Sequence, residues 1–333
     1  MFNEMKEIIL KEINAKYPIK MNEIKEITNE MFRCSDNGNE YFARITSYKS
    51  YEEQQEELKW IDFLGKQGIG VPSVVPSSEG NLVETGNFPQ EKCIVLFKAA
   101  KGIHLPRPNW NSEIFKDLGR EIGKMHRITA QYESQTELEY IKAWNENEEY
   151  CFLKYIPAGE TVIRELAQTV LAEVQQLPRN SNTYGLLHGD IWLENVLVAD
   201  QSDITIIDFQ DCERHYYLYD LVVPIYSALE FSFAGNSNMN DYAQSIAESL
   251  FLGYAEEHRL PLDMIENLPL FFKLKEIFEY CLMHMYWDAN SLSEEQVRIL
   301  NLYRFRLENN YLSICLNYEC ITNLIEKKYA NNG

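Results

Sequence analysis

Residues 186–198 read Leu-Leu-His188-Gly189-Asp190-Ile191-Trp192-Leu193-Glu194-Asn195-Val196-Leu197-Val198, and residues 205–211 read Thr205-Ile206-Ile207-Asp208-Phe209-Gln210-Asp211. Asp190 and Asn195 flank a tight polar loop between apolar runs. Asp208 closes the next apolar run, after a hairpin around Asp200 and Asp203. Two antiparallel strands would bring Asn195 and Asp208 near one another. Two carboxylates and an amide then offer only oxygen donors. That set suits Mg²⁺, which takes few protein ligands and completes its shell with phosphate and water. Phosphoryl transfer needs such an arrangement: metal neutralises phosphate oxygens, and a carboxylate orients the attacking hydroxyl and accepts its proton.

These residues need elements to position them. Met5, Ile8, Ile9 and Ile13 recur at helical spacing, so an amphipathic helix opens the chain and stops near Pro18. Strands are expected at 24–28, 31–34 and 41–45, the last two joined by a turn whose Asn37-Gly38 step tolerates positive φ. A Glu-rich helix over 51–66 ends at Gly68 and Gly70, with Pro72 beyond. Strands resume around Val74, 81–84 and 93–97. After a loop at 106–109 the texture turns helical, with helices expected at 114–126, 162–176, 240–258, 268–289 and 294–325. Only 186–187, 196–198 and 205–207 read as strands there. The expectation is an α+β, two-lobed chain: a small N-terminal antiparallel-sheet lobe over 1–97 and a larger, mostly helical lobe over 98–333.

Composition narrows the classes. A chain of 333 residues accommodates two domains at roughly 100–200 residues each. Apolar residues are 45% and charged residues 25%, so the whole is neither disordered nor low-complexity. With 31 Lys and Arg against 51 Asp and Glu, the formal charge is −20. That argues against nucleic acid or an anionic membrane as partner, and it would suit a cationic small substrate. The bland reading is a solvated acidic surface. The seven cysteines include no C-x-x-C pair, so neither a disulfide framework nor a zinc site is suggested. Glu4 and Glu7 speak against a signal peptide, and no apolar run spans a bilayer, so a cytoplasmic protein is expected.

His188-Gly189-Asp190 with Asn195, followed by Ile207-Asp208-Phe209, resembles the aminoglycoside phosphotransferase and choline kinase family, which shares its fold with protein kinases. The resemblance implies a protein-kinase-like fold that binds ATP between its lobes, with GTP as an alternative. It implies Asp190 as the catalytic aspartate, Asn195 and Asp208 as Mg²⁺ ligands, and a structural role for His188. Trp192 and Glu194 sit at variable positions that face either substrate or packing. Asp220, in Tyr219-Asp220-Leu221, matches a helix start and reads as a cap and loop brace. Residues 41–45 resemble the strand of the phosphate-gripping lysine, here Arg44, which is bidentate toward phosphate and always charged. Glu57 matches its helix partner, though Glu52, Glu53 and Glu56 crowd the same helix. No G-x-G-x-x-G loop is present; Thr28-Asn29-Glu30 stands in its place, a departure that leans away from a protein kinase proper. Backbone groups near Phe97 and Ala99 would meet the adenine, and Leu197 and Ile207 would line the base pocket. His126, near the end of the first large-lobe helix, reads as structural. Leu252-Gly253-Tyr254 matches a later family helix.

The implied activity is transfer of the γ-phosphate of ATP to a hydroxyl of a small molecule: an amino sugar, a choline-like alcohol or another amino alcohol. A bacterial Ser/Thr protein kinase of the same fold is one alternative. A non-catalytic nucleotide-binding coat or regulatory pseudokinase is another, and the intact Asp190, Asn195 and Asp208 argue against it. For a cationic acceptor the candidate features are the acidic stretch 144–149 and the cluster Tyr280, His284, Tyr286, Trp287 and Asp288. Tyr280, His284 and Trp287 also fit a simple core-facing helix stripe. The oligomeric state is not legible.

Overall fold

The computed structural model describes residues 2–199, 203–230, 239–311, 314 and 316–331. In chain order the first elements are α1 (Phe2–Lys16), β1 (Glu23–Glu26), β2 (Met31–Asp36), β3 (Asn39–Thr46), α2 (Tyr51–Lys66), β4 (Glu84–Gly86) and β5 (Lys92–Lys98). Then come α3 (Ser112–Glu133), α4 (Phe152–Tyr155), α5 (Thr161–Gln175), β6 (Tyr184–Leu187), β7 (Val196–Val198), β8 (Ile204–Ile206) and β9 (Glu213–Tyr216). Helices complete the chain: α6 (Leu218–Glu230), α7 (Met239–Tyr254), α8 (Leu262–Ile265), α9 (Leu268–Tyr286), α10 (Glu294–Glu308) and α11 (Tyr318–Asn331).

The chain forms two compact units. The first comprises 1–104, 131–141 and 194–212; the second comprises 105–130, 142–193 and 213–333. In the first, five antiparallel strands run in the order β1-β2-β3-β5-β4. Period-2 alternation sends Phe32 and Cys34 from β2, and Tyr41, Ala43 and Ile45 from β3, into one core, where Ile9, Ile13 and Tyr17 of the α1 segment meet them. The Tyr17 hydroxyl donates to the Ile94 carbonyl at 3.1 Å, tying that segment to β5. Asn37 (φ 48) and Gly38 (φ 89) make the β2–β3 turn, as the Asn-Gly step predicts. A Ser50–Glu53 capping box starts α2. Beyond α2 the chain crosses β8 so closely that a Cβ on Gly70 would lie 1.9 Å from the Ile204 carbonyl oxygen, while the Gly70 carbonyl accepts the Ile206 amide at 2.8 Å. The small sheet differs from expectation at one edge. Val74 forms only an isolated bridge to Phe97, and β4 starts at Glu84, where residues 81–84 were expected.

The second unit is helical, with β6 and β9 paired antiparallel. Helix α6 is apolar on nearly every side and contains Pro224, so no amphipathic period announces it in the sequence beyond its start. The expected single helix over 294–325 is two helices. It breaks after Glu308, where Asn310 adopts φ 51, a left-handed conformation in which Asn ends helices readily. Cys315 and the tip of the expected hairpin near Asp200 lie outside the described residues. Six cysteines are described, all unpaired, with Cys34, Cys93, Cys212 and Cys281 buried. Among the described residues no helix is long and apolar enough to cross a membrane.

Two histidines of this unit are folded neutral. His215 is stacked between Trp144 (4.8 Å) and Tyr219 (4.6 Å), and burial holds its pKa well below the ordinary value. Burial, with His126 and Arg127 adding repulsion, lowers His258 to about 3. The unfolded chain titrates near 6.5. Below that pH the unfolded state therefore binds more protons, and stability falls as the medium is acidified. The expected slope is up to about 1.4 kcal/mol per pH unit for each histidine. Urea midpoints should drop between pH 8 and pH 5, and His215→Phe should drop less over that interval. Equal acid sensitivity in the two proteins would show that His215 does not carry its share.

Candidate active site

The expected site residues divide between the units: Asp190 belongs to the second, and Arg44, Glu57, Phe97, Ala99, Asn195, Leu197, Ile207 and Asp208 to the first.

In the first unit, β7 and β8 pair with Val196 opposite Ile206. The Ile207 amide donates to the Asn195 carbonyl at 2.9 Å, so the pairing runs on to the residue beside Asp208. The strand pair thus brings Asn195 and Asp208 together, as their spacing predicts. Asp208 is exposed and holds φ 64, a left-handed conformation that costs a non-glycine residue about 1–3 kcal/mol. The Gln210 amide donates to its carboxylate at 3.3 Å. An exposed carboxylate and an amide oxygen on adjoining backbone suit a hard cation. Among the described residues no group of three or more His, Cys, Asp or Glu could hold a metal. A cation here would therefore complete its shell with water and phosphate oxygens.

Arg44 and Glu57 form a buried bidentate pair, 2.8 Å at each of two contacts, both residues 2% exposed. Burial opposes the guanidinium charge, but Glu57, with weaker help from Asp208 and Cys212, raises the Arg44 pKa above the ordinary value. Arg44 also lies 5.6 Å from the centre of the Phe97 ring. Its buried Nε has no acceptor among the described residues, a donor still to be satisfied. Breaking such a pair strands a buried charge. Glu57→Ala should therefore cost about 3–5 kcal/mol of stability, while Arg44→Met combined with Glu57→Leu should cost much less. Chemical denaturation of the three proteins checks this; equal losses would contradict it. At the expected hinge, the Ala99 amide already donates to the Glu40 carbonyl (3.0 Å) and the Lys98 amide to Ser73 (2.9 Å). Leu197 is buried and Ile207 half-buried. Glu56 is no solvated residue: its carboxylate accepts the amides of Glu139, Tyr140 and Ile141 at 2.8–3.0 Å.

In the second unit, the loop of Asp190 is held from α6. The fully buried Asp220 carboxylate accepts the His188 amide at 3.0 Å, the Gly189 amide at 2.9 Å and His126 Nε2 at 3.0 Å. Gly189 takes φ 83, which only glycine adopts at low cost. The Asp190 amide donates to His188 Nδ1 at 3.2 Å. His188 and His126 are thus structural, and Asp220 braces the loop. It lies in the first turn of α6, a correction to the expected cap. The Leu193 amide, at the loop's far end, donates to Ser227 of the same helix at 3.1 Å.

Sequence reading missed Lys275. It lies on α9, is 1% exposed, and places Nζ 3.8 Å from Asp190 Oδ1 and 2.7 Å from Glu279 Oε1. The one available signal was the charged group Lys273, Lys275 and Glu276 interrupting the otherwise apolar run 268–277. The features considered for a cationic acceptor are largely used within the protein. Tyr280 is buried, donates to Glu160 at 2.7 Å and packs edge-on to His284. In the acidic stretch, Trp144 is buried, Asn147 donates to Glu213 at 2.6 Å, and Glu148 is bonded to Lys154 and Tyr155.

The model of the phosphotransferase enzyme family matches residues 22–255, well over half of the chain and inclusive of Arg44, Glu57, Asp190, Asn195, Asp208 and Asp220. This chain belongs to that phosphotransferase family. Among curated phosphotransferase relatives, amicoumacin kinase of Bacillus subtilis (strain 168) is 26% identical over 314 residues, covering 91% of this chain and 92% of that protein. A solved structure of the amicoumacin kinase hAmiN in complex with AMP-PNP, Ca2+ and Ami is similar in fold, with a TM-score of 0.85, 24% identity, and coverage of 96% and 100% of the two chains. The microcompartment-associated aminopropanol kinase follows at a TM-score of 0.68 and 22% identity, covering 90% and 94%.

Proposed function

We propose that this phosphotransferase moves the γ-phosphate of ATP to a hydroxyl of an amino-bearing small molecule, with Mg²⁺ as the metal. One observation carries the reading: Asp190 stands on a loop locked by Asp220, and the oxygen pair Asn195 and Asp208 stands on a backbone held by the β7–β8 pairing. Asp190 accepts a hydrogen bond from the acceptor hydroxyl and takes its proton as the new bond forms. Asn195 and Asp208 hold the metal, and the exposed Asp208 carboxylate supplies the anionic ligand. When bound, the cation offsets negative charge on the phosphate oxygens. Arg44, braced by Glu57, is the donor for the phosphates that are not transferred. Leu197 and Ile207 line the base site, beside backbone of the segment from Phe97 to Ala99. GTP in place of ATP is tested in the same assay.

The acceptor class draws on the relatives, which are named as kinases of amicoumacin and of aminopropanol. The test is ADP release from Mg-ATP over a panel: amicoumacin, 1-amino-2-propanol, homoserine, choline, aminoglycosides and a generic protein substrate. Asp190→Ala is the control. Stimulation by a small amino alcohol, lost in the control, supports the reading. Stimulation by the protein substrate alone favours a protein kinase. Absence of nucleotide binding overturns the reading.

A further inference from the structure

Lys275 is a buried cation with a costly position. Taking an ammonium out of water costs several kcal/mol unless partners compensate. Here burial is the largest influence and works against the charge, and Glu279, Tyr219 and Asp190 together outweigh it. The ammonium also faces three rings, Phe278 at 5.0 Å, Trp192 at 5.2 Å and Tyr219 at 5.8 Å from their centres. Cations favour such faces, more so where water is excluded. Glu279 alone would hold a lysine at the surface. What burial adds is the approach to Asp190, whose Oδ1 lies 3.8 Å away.

We propose that Lys275 is a positioning residue for phosphoryl transfer: its caged ammonium pins the Asp190 carboxylate in the orientation that meets the acceptor hydroxyl. The inference rests on the reading of Asp190 as proton acceptor. Asp220 holds the loop through the backbone amides of His188 and Gly189. The Asp190 side chain is 29% exposed, and an aspartate χ1 has three staggered wells. An ion pair at Oδ1 selects among them. Glu279 and the three rings fix the ammonium, so the orientation is transmitted from α9 to the loop. The ring faces are occupied by the chain's own cation.

The experiment uses Mg-ATP with water as acceptor, so that no acceptor need be known. Lys275→Met should lower kcat for ADP release by at least about tenfold, since small misplacements of reacting groups cost that much and more. KM for ATP should stay within about twofold, because the change acts on the transfer step and leaves nucleotide binding alone. Lys275→Arg should recover most of the loss. In an Asp190→Asn background Lys275→Met should cost no further kcat, because the residue through which it acts is already disabled. Lys275→Met combined with Glu279→Gln guards against misfolding from a stranded carboxylate. An equal kcat loss in both backgrounds, or kcat retained in Lys275→Met, overturns the proposal. If the wild type neither hydrolyses nor binds Mg-ATP, the reading of the function is what has failed. Thermal unfolding of the wild type, Lys275→Met, Asp190→Asn and the variant combining both decides the contact independently: non-additive midpoint shifts support it and additive shifts overturn it.

Discussion

Asp190→Ala should lower turnover by about 10²–10⁴-fold, the usual contribution of a positioned proton acceptor, and leave Mg-ATP affinity almost unchanged. The two halves of this prediction have different physical grounds. Asp190 lies in the second unit, whereas Arg44, Asn195 and Asp208, the groups assigned to phosphate and metal, lie in the first. Its side chain is 29% exposed, so its removal leaves no cavity in the core and the thermal midpoint should move little. Its partner Lys275 keeps Glu279 at 2.7 Å, so the buried ammonium is not stranded. Asp208→Ala should behave in the opposite sense and weaken Mg-ATP engagement. The measurement is steady-state ADP release with nucleotide titration by thermal shift. Turnover retained in Asp190→Ala would remove it from the role of proton acceptor.

Asp220→Ala should be damaging in two ways at once. It removes the acceptor for the His188 and Gly189 amides and for His126 Nε2, all fully buried. A buried donor left unsatisfied costs about 1–3 kcal/mol, so the three together put the expected loss at about 3–9 kcal/mol. That is a large share of a typical domain's stability. The loop also loses the grip that sets its backbone, and Gly189 at φ 83 has little to hold it there. Under conditions where the protein remains folded, kcat should fall by about 10²-fold through misplacement of Asp190. Asp220→Asn retains one accepting oxygen but turns an amino group toward a donor, so it should recover only part of the stability. Urea unfolding and kcat, measured below the unfolding transition, test both effects. A stable Asp220→Ala protein with full turnover would show that the loop is held by other contacts.

Local order was legible in the sequence because it is set by neighbours along the chain. The Asn37-Gly38 turn follows from backbone sterics, and α2 spans residues 51–66 as its composition predicts. The same is true of β7, whose residues 196–198 read as a strand. The juxtaposition of Asn195 and Asp208 follows from one short antiparallel pairing. Elements that depend on distant packing were less legible. Helix α6 is buried from Leu218 to Leu229, its polar Asp220 and Ser227 turned to the Asp190 loop and not to water, and α10 breaks from α11 at Asn310, where local helical pattern gave no stop.

What was legible in the sequence alone is the proposed chemistry: an oxygen-only set of Asp190, Asn195 and Asp208, at spacings that two motifs impose. Tertiary structure alone decided how those groups are held. Glu56 captures the amides of residues 139–141 and Lys275 approaches Asp190 from α9, whereas the Asp220 brace was already implied by the match at Tyr219-Asp220-Leu221. None of these contacts has a periodic or compositional signature. Each joins residues far apart in the chain, and each is selected because a buried donor or charge must find its partner wherever packing brings one within reach.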